Sequence, residues 1–203
     1  MAEGGPYVRL RTDGKGDAME QVDHWRTALT AFSDVVARVG DDQWESPTMC
    51  PDWNARELVD HVAWWQRTTV GQLGLSPAAD TPLGDDPAGA WTAIRGALEE
   101  AVAADGAMDQ TMESPFQTDR FRDMMLLPTI DLVFHTWDLA RGLGLDVTLP
   151  AETCAACLEI MLPFDDAIRK SNGSYPDGYD DKIEPPPGAD APTQLLCFGG
   201  RQP

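Results

Sequence analysis

Residues 131–142, DLVFHTWDLARG, restrict the possible folds more than any other stretch of this chain. The segment is almost wholly apolar, yet it carries Asp131, His135 and Asp138. Each residue of an α-helix advances about 100°. These three, at i, i+4 and i+7, therefore project within a sector of roughly 60°. Leu132, Val133, Phe134, Trp137 and Leu139 occupy much of the remaining circumference, so the helix is buried and its polar stripe lies inside with it. Carboxylates and an imidazole taken out of water are costly unless paired. The fold must therefore surround this helix and bring opposing groups to it.

The rest of the chain reads as further helices. Val22, Trp25, Leu29, Phe32, Val36 and Val39 alternate steps of three and four, an amphipathic seam opening near Met19 and stopping at Gly40. His24 is turned off that seam and reads as solvent-facing. Asn54 with Glu57 three residues on resembles a capping box, which starts a second helix near Ala55. Leu58, Val62 and Trp65 give it an apolar face, and His61 lies between Leu58 and Trp65 on that face. A third helix runs through Trp91, Ile94, Leu98 and Val102. The stretch 105–121 is irregular and briefly extended. A long helix at 119–142, interrupted at Pro128, follows. A fifth helix starts at Pro150 and runs to about Met161. Five helical segments without a convincing strand predict a single all-α bundle domain over 19–203, with an acidic, Pro-rich loop at 171–192. Residues 1–18, Gly-rich and without sustained periodicity, read as a flexible N-terminal extension.

Charge and cysteine content narrow the function. Among 203 residues, 34 acidic against 15 basic give a formal net charge of −19. Such a surface repels phosphate backbones and anionic lipid, disfavouring nucleic-acid and membrane partners. No apolar run is long enough to span a bilayer, and no signal-peptide pattern opens the chain, so the expected location is the cytoplasm. Four cysteines in a chain this long make no disulfide framework. Cys154 and Cys157 repeat with Leu158 and Met161 at helical spacing, which favours core packing over redox or metal chemistry. Cys50, beside Pro51, reads as a small buried hydrophobe.

A carboxylate and a histidine at i and i+4 reach one ion from the same helix face, and a ligand from a facing helix completes a three-ligand site. His61 is the other histidine on an apolar helix face. Two histidines with one carboxylate suit Zn²⁺, with Ni²⁺ or Fe²⁺ as alternatives. On residue types alone a structural network remains equally open, with His135 bonded to Asp131 and Asp138 paired to Arg141 or the backbone. Trp65, Phe116 and Met124 are candidates for an apolar pocket wall or for ordinary packing.

SPTMCPDWNARELVDHV (46–62) resembles the loop-then-helix segment of the DinB-like superfamily, in its actinobacterial metal-binding branch. DLVFHTWDLARGLG resembles that branch's second hallmark, an acid preceding His-x-Trp-Asp-Leu-Ala-Arg. The ending LLCFGGRQP is similar to its usual terminus, and the likeness is collinear from about Met19 to Pro203. The resemblance implies a four-helix bundle with an additional C-terminal helix or loop segment. It also implies a divalent metal held by His61, Asp131 and His135. The branch includes mycothiol-dependent maleylpyruvate isomerases and thiol S-transferases, which implies a low-molecular-weight thiol cosubstrate and a small electrophilic substrate. On that reading Asp138 orients a ligand, Trp53 and Trp137 pack helix entry and core, and Arg201 holds an anionic substrate group or forms a salt bridge. Two alternatives stand beside it: a thiol-independent cyclase, isomerase or hydrolase of specialised metabolism, and a metal-free bundle that binds a small molecule or a protein. A homodimer is the generic expectation for such a bundle.

Overall fold

A computed structural model describes residues 18–75, 82–114, 118–170 and 181–203. The three- and four-residue apolar steps form helix α1, Ala18–Val36, in which Val22, Trp25, Leu29, Phe32 and Val36 are buried. Helix α2, Ala55–Thr69, starts at the expected box: Asn54 Oδ1 accepts from the Glu57 N–H, and the Glu57 carboxylate accepts from the Asn54 N–H, each at 2.9 Å. Two donors orphaned by the helix start are thereby satisfied. Helix α3, Pro87–Ala103, is capped by Asp86, and it buries Trp91, Ile94, Leu98 and Val102. The irregular stretch contains an antiparallel pair of short strands, β1 (Thr111–Glu113) and β2 (Thr118–Arg120).

The long helix expected at 119–142 is corrected. Residues 119 and 120 belong to β2, and the helix is two: α4, Phe121–Met124, and α5, Leu126–Gly142. The interruption falls at Met125, three residues before the proline. A proline lacks the N–H that would reach back four residues, here to Met124, and its ring crowds that carbonyl. Pro128 itself sits comfortably in the first turn of α5, where the N–H has no helical partner.

Helix α6, Ala151–Met161, begins directly after Pro150, and a 3-10 turn joins it to α7, Asp165–Lys170. A further helix, α8 (Ala191–Phe198), falls where sequence periodicity showed only a chain end. Asp190 caps it by accepting from the Thr193 N–H, Pro192 occupies its first turn, and Leu195, Leu196 and Phe198 are buried.

Helices α1, α5, α2 and α3 touch in a closed ring, each packing on the next, with α6 against α1 and α5 and α8 against α6. This is the four-helix bundle with its added C-terminal helical segment. Gln66, fully buried, joins three helices of the ring: it accepts from Trp25 Nε1–H of α1 (3.0 Å) and donates to the Pro128 carbonyl of α5 (2.9 Å). Helix α5 is buried around most of its circumference, and Thr129 and Thr136 return their hydroxyls to the Met125 and Leu132 carbonyls. Cys154 and Cys157 are packing groups of α6. His24 does not face solvent freely as expected; it is half-buried, with Nδ1 3.1 Å from Thr153 Oγ1, linking α1 to α6. No helix among the described residues is long and apolar enough to cross a membrane. Residues 1–17 of the leader, Phe116, and residues 171–180 of the acidic loop lie outside the described residues.

Candidate metal centre

His61 projects from the middle of α2, while Asp131 and His135 stand one turn apart on α5, which packs against it. Asp131 Oδ1 lies 3.1 Å from His61 Nε2 and 3.5 Å from His135 Nε2. The ligand-capable atoms of the three residues all fall within 4.8 Å of one another. Asp131 Oδ2 is buried without a hydrogen-bond partner. A buried carboxylate with one oxygen set between two imidazole nitrogens and the other left unpartnered is the arrangement a divalent cation would complete. The donor set of two imidazoles and a carboxylate fits such an ion and leaves positions open for another ligand.

Burial alone would raise the Asp131 carboxyl, but the neighbouring His135 and His61 outweigh it and hold the group below its ordinary range. Burial likewise pulls His135 down, and the Asp131 charge, with hydrogen bonds to Asp131, Asp138 and Cys50, pushes it well above the usual histidine value. Each perturbation expresses one fact: the two groups hold each other charged in a place water scarcely reaches.

Behind His135 lies a second set of contacts. Its Nδ1–H donates to Asp138 Oδ2 (3.1 Å), so Nε2 is the nitrogen turned toward Asp131. Asp138, only 1% exposed, also receives two bonds from Arg201, Nε to Oδ1 at 3.1 Å and Nη2 to Oδ2 at 2.7 Å. The Cys50 thiol donates to the same Oδ2 at 3.5 Å and lies 3.9 Å from His135 Nδ1. Burial opposes ionisation of Asp138, yet the His135 hydrogen bond and the Arg201 guanidinium lower its carboxyl to about 2. Its cationic partner is Arg201 rather than Arg141, which is exposed one turn further along α5. Arg201 stacks on Phe134 at 4.5 Å to the ring centroid, so its guanidinium serves the bundle's own carboxylate.

Aromatic rings flank the histidines. Trp53 lies 4.4 Å from the His61 ring centroid and 5.8 Å from that of His135. Trp64, 42% exposed, is 6.0 Å from His61. Trp65 is one ring further out, 5.8 Å from Trp64, and Met124 is enclosed in the core.

A profile of the family described as mycothiol maleylpyruvate isomerase N-terminal domain matches residues 25–140, a span that includes His61, Asp131, His135 and Asp138. The chain belongs to this family. Two uncharacterised proteins of Mycobacterium tuberculosis, from strains CDC 1551 / Oshkosh and ATCC 25618 / H37Rv, are each 32% identical to it over 178 residues. Those alignments cover 86% of this chain and 93% of each relative. The crystal structure of the mycothiol-dependent maleylpyruvate isomerase matches with a TM-score of 0.51 at 17% identity, over 74% of this chain and 72% of that one. That likeness shows a shared fold, the DinB-like helical bundle. Arg201 lies beyond the matched family segment, yet it reaches back into the bundle to Asp138.

Of the residues singled out in the sequence, the structure brings together His61, Asp131 and His135, with Asp138 and Arg201 behind them. It does not bring Trp65 into ring contact with either histidine. Two participants went unread in the sequence. Cys50 reads as packing in the sequence, and Trp53 as a helix-entry residue; both stand on one loop, and only tertiary placement sets them against the histidines.

Proposed function

We propose that this family member is a divalent-metal-dependent enzyme. It uses a low-molecular-weight thiol of the mycothiol type on a small electrophilic molecule, by isomerase or S-transferase chemistry. The observation that carries the reading is the convergence of His61 Nε2, His135 Nε2 and the half-orphaned Asp131 carboxylate within one small volume. Family membership supplies the thiol, since the isomerase that names the family is mycothiol-dependent.

His61, Asp131 and His135 would hold the ion. Bound there, a Zn²⁺ or similar ion supplies Lewis acidity, which lowers the pKa of a thiol and so favours the thiolate. The protein's own groups arrange the rest. Asp138 takes the Nδ1 proton of His135 into a hydrogen bond, fixing which nitrogen faces the ligand pocket. Arg201 neutralises Asp138, so that carboxylate orients His135 without adding an uncompensated charge to the core. Trp53 stacks against His61 and restricts water there, while the exposed Trp64 ring beside His61 would offer a substrate an apolar surface.

Elemental analysis of the purified chain, joined to turnover of conjugated electrophiles with and without mycothiol, tests the proposal. One divalent ion per chain, lost in a His61→Ala/His135→Ala double variant, together with thiol-stimulated turnover, is the expected result. Metal-loaded protein that turns substrates over with no thiol stimulation would transfer the site to a thiol-independent cyclase, isomerase or hydrolase. A chain that neither contains nor takes up a divalent ion would overturn the metal reading and leave a metal-free binding bundle.

A further inference from the structure

The loop entering α2 carries a Cys-Pro-Asp-Trp run, and the structure gives its thiol specific neighbours. The loop is closed on itself. Pro47 bridges to Asn54, Thr48 Oγ1 donates to the Trp53 carbonyl (2.9 Å), and the Trp53 N–H donates to the Cys50 carbonyl (3.0 Å). It is also fastened to the end of α5. The Met49 N–H donates to the Asp138 carbonyl (3.3 Å), and Gly142 lets the backbone of Thr48 come so near that an added Cβ would stand 2.5 Å from its Cα. From this platform Trp53 lies against His61, and the Cys50 thiol lies against His135 Nδ1 and Asp138 Oδ2. Both histidines of the candidate metal centre are thus backed by one short loop. Cys154, Cys157 and Cys197 are buried elsewhere, while Cys50 is half-buried at the site.

We propose that Cys50 is a positioning residue of the metal centre: it holds the His135 imidazole from the Nδ1 side, keeping Nε2 turned to Asp131 and His61. The inference rests on the metal reading given above. Three donors converge on Asp138 Oδ2, from His135, Arg201 and Cys50. With the thiol absent, Arg201 still holds both oxygens of the carboxylate, but Oδ2 keeps two of its three donors and the imidazole loses the atom packed beside Nδ1, so the ring is held less tightly. A ligand histidine whose supporting contacts are loosened binds metal more weakly, commonly by 10- to 100-fold. Cys50 itself is not assigned as a ligand. Its sulfur addresses the nitrogen facing away from Asp131, and Arg201 already occupies the carboxylate it shares.

The test uses the full chain and Zn²⁺, with affinity read by competition against a chromophoric chelator, and Co²⁺ as a spectroscopic substitute. Cys50→Ala is expected to weaken Zn²⁺ binding about tenfold or more and to shift the visible Co²⁺ bands. Cys50→Ser, which keeps a donor of similar shape, should restore affinity to near that of the unaltered chain. Gly142→Ala, which displaces the loop without altering a side chain of the site, should weaken binding in the same direction. It also serves if Cys50→Ala fails to fold. A packing role alone would lower the melting temperature in Cys50→Ala and leave Zn²⁺ affinity and the Co²⁺ spectrum unmoved, and that result overturns the inference. So does an intense sulfur-to-cobalt charge-transfer band in the unaltered chain, because Cys50 would then be a ligand. Failure of the unaltered chain to bind Zn²⁺ at all would remove the metal reading, and this inference with it. Normal binding in the unaltered chain with unchanged Cys50→Ala overturns the inference alone.

Discussion

Asp138 shows how a charge is kept in the interior of this bundle. Its carboxylate is almost wholly buried and receives bonds from His135, Arg201 and Cys50, so nearly all its hydrogen-bonding capacity is used. Removing one partner of a buried ion pair typically costs about 3–5 kcal/mol, because the remaining charge is stranded. Arg201→Ala should therefore lose stability of that order in urea unfolding at pH 7. The pH dependence has a definite sign. The folded Asp138 carboxyl sits at about 2, below the unfolded value near 3.9. Its contribution is complete above the unfolded value and is lost as pH falls through about 2. Arg201→Ala raises the folded value, so acid unfolding should begin at a higher pH than in the unaltered chain; an unchanged acid limb would contradict this account. The cysteines give a second residue-level prediction. Burial, with the Asp190 charge added, pushes the Cys154 thiol up to about 12, and burial pushes Cys157 up as well. An alkylating reagent at pH 8 should reach Cys154 and Cys157 only after denaturation, as mass spectrometry would show; labelling of either in the native chain would contradict this. His61, Asp131 and His135 were readable in the sequence because helical spacing and an apolar background single them out. The Arg201–Asp138 pair spans 63 positions and Cys50–Asp138 spans 88, and no local pattern encodes either contact.

At the scale of elements, the positions of the site residues depend on how helices are started and joined. The capping box at Asn54 was legible because its two bonds are local, and it fixes the phase in which α2 presents His61 about two turns later. The start of α5 was misplaced because proline acts on a carbonyl four residues back. The break therefore appears at Met125, and α5 runs without interruption through Asp131, His135 and Asp138. Helix α8 escaped notice because eight residues with consecutive apolar positions show little periodicity. Gln66 was equally unreadable as a joint, though it lies on the same helix as His61. Its amide satisfies the Trp25 indole N–H and the Pro128 carbonyl, holding α1 and the first turn of α5 to α2. Gln66→Ala leaves both groups buried and unpaired, at about 1–3 kcal/mol for each. Loss of roughly 2–6 kcal/mol in chemical denaturation is expected on those figures. A change below about 0.5 kcal/mol, the range of ordinary surface substitutions, would show that the joint is dispensable.

For the molecule as a whole, the candidate centre couples two helices of the ring, since His61 comes from α2 and its partners from α5. An ion held there binds the folded chain and not the unfolded one, so it must raise stability. At a free concentration one hundred times the dissociation constant the gain is about 2.7 kcal/mol. For a chain of this size that corresponds to roughly 5–10 °C in melting temperature. The metal-free network has its own pH dependence, which runs the opposite way from ion binding. In the folded chain His135 is raised well above its ordinary value, so its contribution is full below the unfolded value near 6.5 and is lost as pH rises through the folded one. Asp131 is held low, so its contribution appears above its own unfolded value. The pair therefore supports the metal-free bundle best in mildly acidic solution. Zn²⁺ has to displace the His135 proton, and its affinity should climb as that proton becomes easier to remove. The melting-temperature gain on adding Zn²⁺ is accordingly expected to be larger at pH 8 than at pH 6, with proton release detectable by calorimetry in buffers of different ionisation enthalpy. A surface carrying a net charge of −19 also attracts cations non-specifically, and about 0.15 M salt, with its Debye length of about 8 Å, screens that attraction. In such salt the gain should vanish in Asp131→Asn, which keeps the shape of the side chain and removes its charge. A gain that survives in Asp131→Asn, or that shrinks as pH rises, would place the bound ion elsewhere on the acidic surface.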